Sequence, residues 1–314
     1  MDKRWFGLVP VLALVLGCGD MAPAEKAGVV TLATGPIDVP YGEEVQNCFF
    51  FEVPSDEPIY VNQIHFAQLE GSHHMNLFRE RTIVALDAEP GQAVMGGECW
   101  KPGNWKDWPL IANTQNAGDT DWQLPEGVAL KLEPHEKIML QSHYVNATTQ
   151  HTPEYGSVSI DLHFVPKSAI EYELGTVFAT NQDIEICPGE MQKTFLDTCA
   201  IAQEHPVTIV AANGHFHSRG RRFTMNAWDD VSGGGDQFYE STQWDNPLFA
   251  RDLDVHIPQG GGFQWTCEFT VRDDECGDPD NNCCFTFGGK VEYQEHCNSF
   301  LYYYPKTETD KVCF

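Results

Sequence analysis

Two histidines stand one residue apart in GHFHSRG at 214–220, an adjacent pair, His73 and His74, sits in GSHHMNLF, and His143 lies in LQSHYVN. Side chains alternate between the faces of a strand, so His215 and His217 point the same way and can share one ligand. Adjacent residues face opposite ways, so His73 and His74 meet on one ion only where a bulge or a strand end bends the backbone. His143 shares its strand face with Gln141 and Met139, which puts polar groups on an otherwise apolar element, and buried polar groups need partners. Any one histidine is most simply a satisfied core or surface side chain; several together favour a metal. Imidazoles without an added carboxylate suit copper or zinc.

The elements that must hold them are short and alternating. In SVSIDLHF, Val158, Ile160, Leu162 and Phe164 interleave with Ser157, Ser159, Asp161 and His163, which predicts a strand with one wet face. GFQWTCEFTV repeats the pattern, with Phe263, Trp265, Cys267, Phe269 and Val271 facing a core. Apolar stripes of helical period are scarce, while Gly and Pro punctuate the chain throughout. The fold class expected is all-β, two antiparallel β-sandwich (jelly-roll-like) domains over 41–165 and 166–314, with the junction near VPKSA at 165–169.

The N-terminus carries Lys3 and Arg4, an apolar run too short to cross a bilayer, and Cys18. VLGC resembles the lipobox of bacterial lipoproteins, the alternative being a plain secretory signal. Residues 1–18 are therefore expected to be a signal peptide ending at a lipidated cysteine, and 19–40 a tether. This places the chain in a bacterial cell envelope, lipid-anchored, or otherwise secreted. Ten further cysteines, an even number in an exported protein, read as five disulfides. In RDDECGDPDNNCC the spacing and terminal Glu of a calcium loop are missing, which favours a pinned surface loop. A formal charge of -27 opposes binding to nucleic acid.

Several chemistries drop out. The glutamate that cupins place after HxH is absent, since Ser218 to Arg221 follow His217. The His296–Cys297 pair lacks the histidine and methionine that follow such a cysteine in cupredoxins. No GxSxG elbow exists, and HEKIM ends in Met139 where a zinc protease needs its second histidine.

GSHHMNLF, LQSHY, GHFHSRGRRF, CEFTV and EHCNSFLYYYPKTETDKVC, taken in order, resemble the copper type II, ascorbate-dependent monooxygenases, the family of peptidylglycine α-hydroxylating monooxygenase and dopamine β-monooxygenase. The likeness runs over residues 45–314. It implies two copper ions per chain, one in each jelly-roll domain, facing each other across a solvent-filled cleft. His73, His74 and His143 would hold the electron-donating copper, with Gln141 near it. His215, His217 and the residue at 296 would hold the copper that meets O2 and carry the catalytic role, with Asn298 assigned to the same cofactor environment. The partners implied are a small organic substrate, O2 and an electron donor, ascorbate or another reductant.

The chain departs from the family at two places. The family motif Glu-Met-Cys reads Glu-His-Cys at 295–297, so His296 replaces a soft sulfur ligand with a harder donor that stabilises Cu(II). Asn213 stands where the peptide enzyme has the arginine that holds a substrate carboxylate, so a peptide C-terminus loses support. The reading implied is a two-copper monooxygenase hydroxylating a C–H bond. The alternatives are an envelope copper carrier or sensor and, more weakly, a peroxide-using site. The resemblance also implies the bridges Cys48–Cys99, Cys267–Cys297 and Cys199–Cys313, leaving Cys187, Cys276, Cys283 and Cys284 unassigned.

Overall fold

Short alternating strands close a core by stacking sheet on sheet, and the computed structural model of the chain does so twice. It describes residues 27–80, 88–96, 99, 109–116, 118–147, 154–229, 231, 233–307 and 311–314. The signal segment and Cys18 lie outside these residues. The described chain is all-β, with two short 3-10 turns, Lys167–Ala169 and Pro279–Asn281.

In the first β-sandwich, a sheet of Gly28–Ala33, Val158–Val165, Ile59–Gln68 and Val128–Leu132 faces a five-stranded sheet. The second sheet runs Ala93–Met95, Glu44–Glu52, Lys137–Val145, Ser72–Arg79 and Leu110–Thr114. In the second β-sandwich, Val207–His215, Asn298–Tyr304 and Gly175–Thr180 form the centre of one sheet. Lys193–Ala200, Gly262–Phe269, Gly220–Asp229 and Gly233–Ser241 form the other.

The alternation read from the sequence has its physical counterpart. Val158, Ile160 and Leu162 are buried while Ser159, Asp161 and His163 are half-buried, and Phe263, Trp265, Cys267, Phe269 and Val271 all enter the core. The tether expected over 19–40 is not one in its described part. Gly28–Ala33 pairs with residues 159–164, and Ile37–Val39 pairs with Glu154–Gly156. Val30, Leu32, Ile37 and Val39 bury in the first core, so this stretch alternates too, over runs too short to stand out in sequence. Tyr172–Glu173, beyond the expected junction, still pairs with Val128–Ala129 of the first sandwich.

The two sandwiches meet through apolar surface. Phe178, Val210, Phe249, Phe300 and Tyr302 of the second join the core of the first, and the Trp122 and Tyr302 rings stand edge to face at 4.6 Å. Cys48–Cys99, Cys199–Cys313 and Cys267–Cys297 are bridged as the resemblance implied, and Cys187–Cys284 with Cys276–Cys283 completes five. Five disulfides mark an oxidising, extracytoplasmic location. The last two pin the 272–284 loop, where Asp278 accepts from the Asp280 N–H and so caps a turn.

Candidate metal centre

Ser72–Arg79 and Lys137–Val145 pair in regular register until His143 meets His74. The next partner of Tyr144 is Ser72, so His73 is skipped. A β-bulge at His73 is the bend that the adjacent pair requires. The rings of His73 and His74 lie 5.2 Å apart, and His143 stands edge-on to both at 5.1 and 5.0 Å. His143 Nε2 lies 3.7 Å from the Glu44 carboxylate, which also meets Lys290 at 3.4 Å. Burial raises the Glu44 pKa, but His143 and Lys290 outweigh it and hold the carboxyl below its usual range.

The second group is built on a strand end. Val207–His215 stops at His215; Phe216 turns into the core, stacked on Phe223. Gly220 is required here, because a Cβ on it would enter the Phe216 ring. A turn over 217–220 follows, closed by Gly220 N–H to His217 O at 2.9 Å, and the His217 ring lies 5.1 Å from that of His215. The buried Glu295 carboxylate accepts the backbone N–H of His217 and of Arg219, both at 2.9 Å, so it fixes that turn from the residue next to His296. Burial pushes the Glu295 pKa up to about 8 against those hydrogen bonds. Cys297 is bridged to Cys267, and Trp265 Nε1 donates to Cys297 O at 3.3 Å.

All six rings converge. His73 lies 4.9 Å from His215 and 5.4 Å from His217, His74 lies 5.0 Å from His215, and His296 lies 4.4 Å from His217. The expected cleft between two separate trios is therefore absent among the described residues: the apolar seam between the sandwiches brings both groups into one buried cluster. Two sets have ligand atoms within 4.8 Å of one another, His73, His74 and His215, and His215, His217 and His296. The second matches the implied set. In the first, His215 takes the place expected of His143, which stays beside the pair and against Glu44.

The cluster fits a metal. Buried ring nitrogens of His73 (Nε2), His74 (Nδ1), His143 (Nδ1) and His217 (Nε2) have no hydrogen-bond partner, which is costly unless a ligand completes them. Burial, then the neighbouring imidazoles, drives the pKa of His73 and of His215 well below the usual value, and burial takes His217 down to about 4. The rings are thus neutral, the form that ligates. Nitrogens on one tetrahedral ion with bonds of ~2.0 Å stand about 3.3 Å apart; His215 Nε2 and His296 Nδ1 are 2.9 Å apart.

A void of about 20 Å³ borders the cluster, lined by His74, His215 and His296, by Asn76, Gln141 and Asn298, and by Phe78, Phe178 and Phe300. Gln141 and Asn298 thus line the void together with the histidines. Gln141 hydrogen-bonds His74 and accepts from Asn76 Nδ2 at 3.0 Å. Sequence reasoning missed Gln115, Glu44 and Trp244. Gln115 bonds His215, and the Trp244 ring lies 5.9 Å from His73. No periodicity or motif marks them, because each reaches the site from a strand end or loop. Glu295 was visible beside His296, but only the folded turn reveals its task.

No protein-family model matches the chain, and comparison with curated proteins gives no match. Among solved structures the chain is similar to PNGase F, a glycosylasparaginase from Flavobacterium meningosepticum, at 10% identity and a TM-score of 0.36, over 91% of this chain and 98% of that one. It is also similar to the PBSX exported protein XepA, at 7% identity and a TM-score of 0.24, over 87% and 86%. Neither likeness bears on function. What the chain itself presents is a two-domain β-rich fold whose buried histidine clusters can hold metal ions.

Proposed function

We propose that the six imidazoles form a copper centre, with places for two ions, and that the protein is an O2-dependent monooxygenase of the bacterial envelope, carried on a lipid anchor at Cys18. The observation that carries this reading is the meeting of two overlapping sets of buried, neutral imidazoles at the seam of two sandwiches. The order of the histidine motifs supports copper and oxygen chemistry over zinc. The reaction inserts one oxygen atom into a C–H bond of a small organic substrate and reduces the other to water, consuming two electrons and two protons from a reductant such as ascorbate.

Bound copper supplies one-electron redox chemistry toward O2 and the reductant. The chain's own residues do the rest. His73, His74, His215, His217 and His296 offer neutral nitrogens and His143 stands beside them; Gln141, Asn76 and Asn298 direct polar groups into the adjoining void; and Phe78, Phe178 and Phe300 exclude bulk water from it. A void of about 20 Å³ holds a water or a diatomic molecule but no organic substrate. That enclosure favours the second reading, a copper carrier or sensor on the same fold.

The deciding experiment loads the purified chain with copper and measures metal content and O2 uptake with ascorbate across a panel of amines and amidation precursors. Two coppers per chain with substrate-dependent O2 uptake support the enzyme. Tight copper binding with no O2 uptake under any reductant leaves the carrier, and absence of copper binding refutes both.

A further inference from the structure

Gln115 follows the strand Leu110–Thr114 of the first sandwich, is buried, and reaches into the second. Its Oε1 lies 2.7 Å from His215 Nδ1, while its Nε2 donates to Asn213 Oδ1 at 2.7 Å and to the Gly214 carbonyl at 3.4 Å. A backbone carbonyl only accepts, so Gly214 fixes which end of the Gln115 amide is which. Oε1 therefore faces the ring, and His215 Nδ1 must carry the proton and donate it. The Nε2 lone pair is left to point inward, at 2.9 Å from His296 Nδ1.

This has a consequence for the shared ligand. His215 belongs to both candidate sets, yet its Nδ1 is turned away from the cluster into Gln115. It can give one nitrogen, to one ion. By contrast His217 is oriented from within its own sandwich, through Nδ1 and the Gln294 carbonyl at 2.9 Å. The neighbouring Asn116 also crosses the seam, donating to Asn246 Oδ1 and to the Pro247 carbonyl. Residues 115–116 are thus a clasp, and His215 keeps its orientation only while the two sandwiches are seated.

We propose that Gln115 is a positioning residue of the metal centre: it locks His215 as the Nδ1–H tautomer, aims Nε2 at the metal, and restricts this shared ligand to one ion at a time. The inference rests on the cluster being a copper centre. Outer partners of ligating imidazoles change metal affinity by about 10- to 100-fold.

The test compares Gln115→Met and Gln115→Glu with the parent chain, each stripped of metal and then titrated with Cu(II). Cu(II) affinity, electron paramagnetic resonance spectrum, copper reduction potential and the metal-free thermal midpoint are recorded. Methionine fills the space but cannot accept, so affinity should fall about 10- to 100-fold with an altered spectrum, while the metal-free midpoint moves little. Glutamate still accepts from Nδ1–H, with Asn213 turning its amide to donate, so affinity should return to within a few-fold of the parent and the potential should drop. Parent-like affinity and spectrum in Gln115→Met overturn the proposal, as does a loss in Gln115→Glu equal to that in Gln115→Met, which marks a packing role. Should Gln115→Met fail to fold, an unchanged potential in Gln115→Glu overturns it and a lowered one supports it. A parent that binds no copper overturns both this inference and the metal-centre reading; a parent that binds while Gln115→Met is silent overturns this one alone.

Discussion

The two histidine groups do the same job by different means. His217 and His215 have their outer nitrogens engaged by Gln294 O and Gln115 Oε1, the turn that begins at His217 is held by Glu295, and the segment bearing His296 is tied by Cys267–Cys297. The group in the first sandwich is positioned by a β-bulge at His73, with Gln141 on His74 and the Glu44 carboxylate 3.7 Å from His143, and three of its nitrogens, on His73, His74 and His143, are without a hydrogen-bond partner, against His217 Nε2 in the second group. The second group is pre-organised and the first is adaptable. Pre-organisation lowers the cost of ordering ligands when a metal arrives, so the second group should fill first. His215, committed by Gln115, should belong to it.

The largest effect expected breaks the comparison if it is absent. With a titration of the metal-free chain by copper under competition from a chelator, His217→Ala should remove the tighter of two binding steps, a loss of more than about 100-fold, beyond that of an outer-partner change. His143→Ala should leave the tighter step within a few-fold and weaken only the second. Equal losses from both variants would mean that the sandwiches contribute alike and that the order of filling is not built into the fold.

Legibility from sequence follows the same division. The sandwiches were legible because burial on one face of a strand writes itself as alternation, as at Val158, Ile160 and Leu162. The bulge at His73 was legible as a requirement, since adjacent ligands demand it. The three implied disulfides came through the motifs. The joining of the groups was not legible: it depends on Phe178, Phe300 and Tyr302 packing on the first core, residues that read in sequence as ordinary interior. The same holds for Gln115, whose role exists only across the seam.

A second, smaller effect concerns the metal-free chain and sharpens the contrast through charge. His73, His74, His215 and His296 all have folded pKa values well below 6.5, first because of burial, and His217 falls to about 4. Below pH 6.5 the unfolded chain binds protons that the folded chain refuses, so stability is full above that value and is lost as the pH falls toward the folded value. Each such histidine contributes a slope of about 1.4 kcal/mol per pH unit. Denaturant unfolding between pH 7 and pH 5 should show the loss. Replacing both His73 and His74 by Gln should flatten the slope about twice as much as His217→Gln does, because it removes two such histidines instead of one. A metal-free stability that is level across this range would contradict neutral burial of the cluster.

The smallest effect distinguishes the two proposed uses of the pre-organised group. His296 Nδ1 lies 2.9 Å from His215 Nε2, and since Gln115 keeps the proton on His215 Nδ1, it is His296 that donates in the metal-free state. Metal loading must break this bond and free both nitrogens, so His296 is the ligand of its group that has to adjust. His296→Met removes that adjustment and replaces imidazole with a softer thioether, favouring Cu(I) over Cu(II). Cu(II) retention should weaken by no more than about tenfold, ~1.4 kcal/mol, with the copper potential rising. In an enzyme the change also alters the rate of O2 uptake, because the balance between the two oxidation states sits within the catalytic cycle. In a carrier it changes retention alone. Since Glu295 and the Cys267–Cys297 bridge still hold position 296, the variant changes the donor and leaves its placement intact, so a raised potential with no change in O2 uptake would decide for the carrier.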